Sequence, residues 1–119
     1  MPISSYKDLV VYRDGYALAL ELHKMSSGFP DSERYELGRQ LRRAAMSIPL
    51  NIAEGYGRKR SGADFKHFLG MSAGSCNEVQ VILDFVHDLD YISDKMRDDM
   101  LGRYESLGKR LYVLISKWK

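Results

Sequence analysis

Residues 42–59, RRAAMSIPLNIAEGYGRK, decide how the rest of the chain is read. Ala44, Ile48, Ile52 and Gly55 recur three or four residues apart, the period of one face of an α-helix. Pro49 interrupts that run. It has no N–H for the carbonyl of Ala45, so the helix is expected to bend there. The bend would wrap the helix round a neighbour or leave a carbonyl open to nearby side chains. Two arginines begin the stretch, and Arg58, Lys59 and Arg60 close it.

Outward from this centre the same period predicts four helices. The second runs from about Glu33 to Arg58, with Leu37 and Leu41 extending its apolar stripe. Before it, Leu9, Tyr12, Tyr16, Ala19, Leu20 and His23 predict a first helix from about Tyr6 to Ser26. Gly28 suits its exit, and Asp31 or Ser32 the next N-cap. After it, Ser61 followed by Asp64 has the form of a capping box. The third helix then carries Phe65, Leu69, Ser72, Cys76, Val79, Leu83 and Val86. Ser93 caps a fourth, which carries Leu101, Tyr104, Gly108, Leu111, Ile115 and Trp118. No strand-like alternation persists. Short connections between long helices imply antiparallel neighbours, so the expected fold is all-α, a single-domain up-down-up-down four-helix bundle over residues 1–119.

The totals agree with one domain that can bury a core of its own: 119 residues, 45% of them apolar. The single cysteine, Cys76, cannot form an internal disulfide and falls on a core stripe, where a buried structural thiol is expected. The N-terminal residues lack a signal peptide's apolar run, and no stretch approaches the length of a membrane span. A cytoplasmic protein without membrane contact is the expectation.

Two helices carry more apolar surface than one core can take. Met46, Leu50 and Ala53 lie nearly opposite the Leu37–Ile48 stripe, and Met71, Ile82, Phe85 and Leu89 lie well round from Phe65 and Leu83. Scattered surface apolars would account for some of this. A subunit interface formed by Met46, Leu50, Ala53, Ile82, Phe85 and Leu89 accounts for it better.

Arg43, Ser47, Asn51, Glu54 and Arg58 form a polar stripe along the second helix. If the third helix returns about a turn near Ser61, position 43 lies level with about position 79. Arg43 can then face Glu78, Ser47 can face Ser75, and Glu54 can approach His67. Such a ladder of partly buried groups would satisfy its own members and fix the register. The alternative is a solvated face.

Charge divides along the expected axis. One end holds Lys7, Arg58, Lys59, Arg60, Lys66, Lys109, Arg110, Lys117 and Lys119 against Asp8 and Asp64, an excess of seven positive charges. The other holds nine carboxylates against four cations, and the chain's net charge of +2 conceals the asymmetry. A basic end attracts phosphate backbones by releasing counterions. Arg58, Lys59, Arg60, Lys66, Lys109 and Arg110 are therefore the candidate nucleic-acid contacts, with Tyr56 and Trp118 as candidates to stack on bases. The competing reading is that terminal cations complement helix dipoles and aid solubility.

Catalytic chemistry finds no constellation. His23, His67 and His87 form no metal-spaced pair, and no glycine loop follows a strand. Glu54 and Glu78 have arginines beside them, which favours ion pairing over acid–base work. A non-enzymatic protein with no metal or cofactor is expected.

The segments FPDSERYELGRQLRRAAMSIPLNIAEGYGR and DFKHFLGMSAGSCNEV resemble the four-helix-bundle family named for 23S rRNA intervening-sequence proteins. The family's marks fall on Phe29, Pro30, Glu33, Leu37, residues 40–44 and 47–55, Phe65, Phe68, Leu69 and residues 73–78. Gly74 follows Ala73 directly, one residue closer than in the family pattern. The chain is also similar to the accessory variability determinant of diversity-generating retroelements, a basic pentameric bundle that binds a reverse transcriptase and nucleic acid. These resemblances imply a ring-like homo-oligomer, with a pentamer favoured. They imply RNA or DNA, and a reverse transcriptase or other protein, as partners. The alternative function is a protein-interaction scaffold without nucleic-acid contact.

Overall fold

A computed structural model describes residues 3–118. The chain is 84% helical and has no strand among the described residues. Its helices are α1 (Val10–Ser26), a short α2 (Asp31–Tyr35), α3 (Leu37–Gly57), α4 (Gly62–Asp88) and α5 (Asp94–Lys117). The four long ones form an antiparallel bundle of 45 × 23 × 22 Å, as periodicity and loop length predict.

The helix boundaries have local causes. Ser61 Oγ accepts the Asp64 N–H at 3.1 Å and starts α4, and Ser93 Oγ accepts the Met96 N–H at 3.1 Å and starts α5. Asp90 ends α4 with φ 65°, a conformation in which the Tyr91 N–H reaches the Val86 carbonyl at 2.8 Å. Two limits differ from expectation. Tyr6–Asp8 is a separate 3₁₀ turn, capped by Ser5, and extended Leu9 divides it from α1. The second helix breaks at Glu36 (φ −97°, ψ −87°), so its expected first turn becomes α2, which Pro30 and not Asp31 or Ser32 precedes.

α3 continues through Pro49, which is buried. A Cβ on Gly15 would lie 3.0 Å from Ile48 Cγ2 and 3.6 Å from Pro49 Cδ, so a glycine lets α1 pack close at this point. On the α4 side, Ser72 Oγ donates to the Ile48 carbonyl at 2.8 Å, a fully buried bond. Gly55 is required by a second close approach. A Cβ there would lie 2.6 Å from the Cβ of Phe68 and 3.0 Å from Phe65 Cδ1.

The core follows the expected stripes of α3 and α4, where Leu41, Ile48, Ile52, Phe65, Leu69 and Leu83 are fully buried. α1 does not follow its expected stripe. Val11, Leu18 and Leu22 face the core, whereas Tyr16, Leu20 and His23 are exposed. α1 is apolar on two faces, and periodicity alone does not say which one a neighbour will cover. Ile82 also departs from expectation. It is 6% exposed and belongs to the core, so it cannot serve an outer interface, while its neighbour Val81 is 55% exposed. α1 and α5 close the bundle through Arg110 on Asp14 and Arg103 on Glu21, two surface pairs in one antiparallel register. The described residues contain no helix long and apolar enough to cross a membrane.

Candidate nucleic-acid interface

The turn between α3 and α4 is built by backbone hydrogen bonds. The N–H groups of Arg58, Lys59 and Ser61 donate to the carbonyls of Gly55, Tyr56 and Arg58 at 3.0–3.2 Å. This tight exit leaves Arg58, Lys59 and Arg60 exposed at the end of the rod. Arg58 pairs with Glu54 at 3.3 Å, and its guanidinium carbon lies 5.3 Å from the centre of the Phe68 ring. Lys59 Nζ donates to the Tyr56 hydroxyl at 2.8 Å and lies 4.0 Å from that ring's centre. Arg60 and Lys66 form no ion pair among the described residues. These four cations therefore share one carboxylate partner, Glu54.

The two α5 candidates are placed differently. Lys109 pairs with Glu105 at 3.2 Å across one helical turn and remains exposed. Arg110 is held by Asp14 on the α1–α5 seam, about two turns before the helix ends. Counting Asp14, Glu54 and Glu105 lowers the positive excess of this end below the value read from the sequence. Lys119 lies outside the described residues.

The candidate stacking aromatics are engaged in packing against Phe65. Tyr56 is buried and meets Phe65 edge-on at 6.1 Å, and half-buried Trp118 meets the same ring edge-on at 4.6 Å. Both close the lower core, a use of large rings that a sequence pattern cannot tell from surface display.

One rung of the polar ladder forms between helices, with Ser47 and Ser75 hydroxyl oxygens 2.6 Å apart. Asn51 turns back to donate to the Ser47 carbonyl at 2.8 Å. Arg43 and Glu78 line a groove of about 640 Å³ between α3 and α4 without forming an ion pair, and Glu54 bonds Arg58 and not His67. Arg43 and Glu78 are both exposed, so water solvates them and burial exerts no demand for pairing.

Perturbed titration lies away from the basic turn. Burial pushes the Cys76 thiol up to about 12, which keeps it protonated and unreactive. At the opposite end, His87 bonds Asp94 at 2.5 Å and Asp88 at 3.0 Å. Those carboxylates, Asp94 foremost, raise its pKa above the ordinary 6.5. No group of three or more potential ligands among the described residues is arranged to hold a metal ion. The sequence reading overlooked the α1–α5 ion pairs. Their only sequence signal is opposite charge at Asp14 and Arg110, and at Glu21 and Arg103, with matched spacing of seven on each helix.

No curated protein matches the chain. Among solved structures, a protein of unknown function from the S23 ribosomal protein family of Bacteroides thetaiotaomicron superposes with a TM-score of 0.83. That match has 21% identity and covers 91% of this chain and 96% of the other, which establishes the shared fold. The profile of the 23S rRNA-intervening sequence protein family matches residues 7–113, nearly the whole of the chain whose bundle and basic turn are described above, and the protein belongs to that family.

Proposed function

We propose that this protein is a non-enzymatic subunit of a homo-oligomer that binds the nucleic-acid backbone through its basic end. The observation that carries this reading is the α3–α4 turn. It projects Arg58, Lys59 and Arg60 into solvent beside Lys66, with Glu54 as the single carboxylate among the described residues ion-paired to any of them. Exposed cations of this kind suit phosphate contact, which is largely independent of sequence. Replacing Arg58, Lys59 and Arg60 with Gln should weaken binding to RNA and DNA across sequences. It should also flatten the salt dependence by about one unit of log–log slope for each phosphate no longer neutralised. Fluorescence anisotropy titrations at several salt concentrations measure both. An unchanged affinity and slope in the triple variant would exclude the turn as the contact.

A second reading, a protein-interaction scaffold, draws on a different observation. Large apolar side chains remain in solvent on two faces, Leu20 and Leu50 on one and Val81 and Phe85 on the other. Absence of nucleic-acid binding by the parent protein at low salt would favour it.

A further inference from the structure

Among the described residues four aromatic side chains stand in solvent, Tyr16, Tyr35, Phe85 and Tyr112. Tyr16 stacks on Tyr12, with ring centres 6.0 Å apart. Tyr35 and Phe85 lie toward the acidic end, in α2 and in the last turn of α4. Tyr112 differs from all three. It lies in the last two turns of α5, in the half of the rod that carries the basic turn, and is 59% exposed. Its ring meets no other ring and no cation among the described residues.

The register of α5 against α4 sets what surrounds this ring. A Cβ on Gly108 would lie 3.8 Å from the Cβ of Cys76, so the two residues stand level and Gly108 faces α4. Tyr112, four residues on, shares that side of α5 and stands at the height of Ser72. The nearest α4 residues on this side are Gly70 and Ala73. Ala73 is buried, and a Cβ on Gly70 would meet nothing within 4 Å. α4 therefore offers no bulky side chain to cover the ring.

Cations stand on both sides of Tyr112 along the rod. Lys66 precedes Ser72 by six residues, which places it about 9 Å nearer the basic turn. It is exposed only in part and pairs with no carboxylate among the described residues. Lys109 precedes Tyr112 by three residues, about 4.5 Å in the other direction. It pairs with Glu105 of its own helix at 3.2 Å, and an exposed pair of this kind is weak enough to give way to a phosphate.

Resting on the nucleic-acid reading above, we infer that Tyr112 stacks on a base of a single strand whose backbone leaves the basic turn, passes Lys66 and reaches Lys109. Every base has a π-face, so the ring contributes affinity with little regard to sequence. A duplex keeps its bases stacked on one another and turned inward, so it can touch the cations but not the ring. Tyr112 therefore adds affinity for single strands, RNA and DNA alike, and none for duplexes.

Fluorescence anisotropy of the full chain with three labelled probes tests this. The probes are an oligothymidylate of about 12 nucleotides, the same strand paired with oligoadenylate, and a strand of that length built of abasic sugars. Tyr112→Ala should weaken binding of the single strand about tenfold and leave its salt slope as in the parent. Binding of the duplex and of the abasic strand should not change. Tyr112→Phe keeps the ring and should bind as the parent does. The position is more than half exposed, so helicity by circular dichroism should persist, and Tyr112→Leu replaces the alanine variant if that one unfolds. A Tyr112→Ala protein that binds the single strand as tightly as the parent would overturn the stacking and leave the basic turn as a phosphate contact. So would one that loses duplex and abasic strand to the same extent. A parent that binds none of the three at low salt would overturn both readings.

Discussion

Gly55 to Ala is the substitution whose outcome the packing decides most sharply. In an exposed helix interior, alanine is favoured over glycine by about 1 kcal/mol. At position 55 the added methyl would sit 2.6 Å from the Cβ of Phe68, well inside van der Waals contact. Neither atom is the end of a flexible side chain, so relief requires α3 and α4 to separate. Phe65 Cδ1, 3.0 Å away, blocks a sideways shift. Overpacking of this kind costs about 3 kcal/mol at the upper end of its usual range. The net destabilisation is then about 2 kcal/mol. For a chain of 119 residues the unfolding entropy is about 0.25 kcal/mol per kelvin, so Tm should fall by about 8 °C. Gly102 to Ala is the control, because a Cβ there meets nothing within 4 Å and the residue lies inside α5. It should raise Tm by about 2–4 °C. Calorimetric melts at matched protein concentration measure both. A Gly55→Ala protein as stable as the parent would refute the close approach of α3 and α4.

The remaining expectations concern polar groups. Ser72→Ala removes a buried bond to the Ile48 carbonyl and should cost about 1–2 kcal/mol in denaturant melts, whereas Tyr104→Phe, which deletes a buried hydroxyl with no partner among the described residues, should cost nothing or stabilise. The folded His87 pKa is raised above 6.5, so its stabilising contribution is complete below that value and is lost as pH rises through the raised one; His87→Gln should remove this loss of stability as pH rises from about 6.5. Glu21 and Arg103 are each more than two-fifths exposed, so a double-mutant cycle should give a coupling of at most about 1 kcal/mol that shrinks in high salt. A coupling several times larger, or one insensitive to salt, would mean that the α1–α5 seam is drier than its exposure indicates.

The sequence by itself determined the number of long helices, their antiparallel order, the core stripes of α3 and α4, and the caps at Ser61 and Ser93. These depend on interactions within a few residues, whose period and chemistry are written locally. It also placed Ser47 level with Ser75, because a short turn allows only a narrow range of registers between consecutive helices. Tertiary structure decided what depends on how each helix is rotated about its axis. α1 offered two apolar faces, and packing against α3 buried Val11, Leu18 and Leu22 while leaving Tyr16 and Leu20 outside. The rotation of α4 brought Ile82 inside and left Val81 out. Tyr56 entered the core and Trp118 packed against it, each at right angles to the Phe65 ring, and Arg110 met Asp14 across 96 residues because the bundle closed. Arg43 and Glu78 form no ion pair; both are exposed, so water solvates each and the fold does not require the contact.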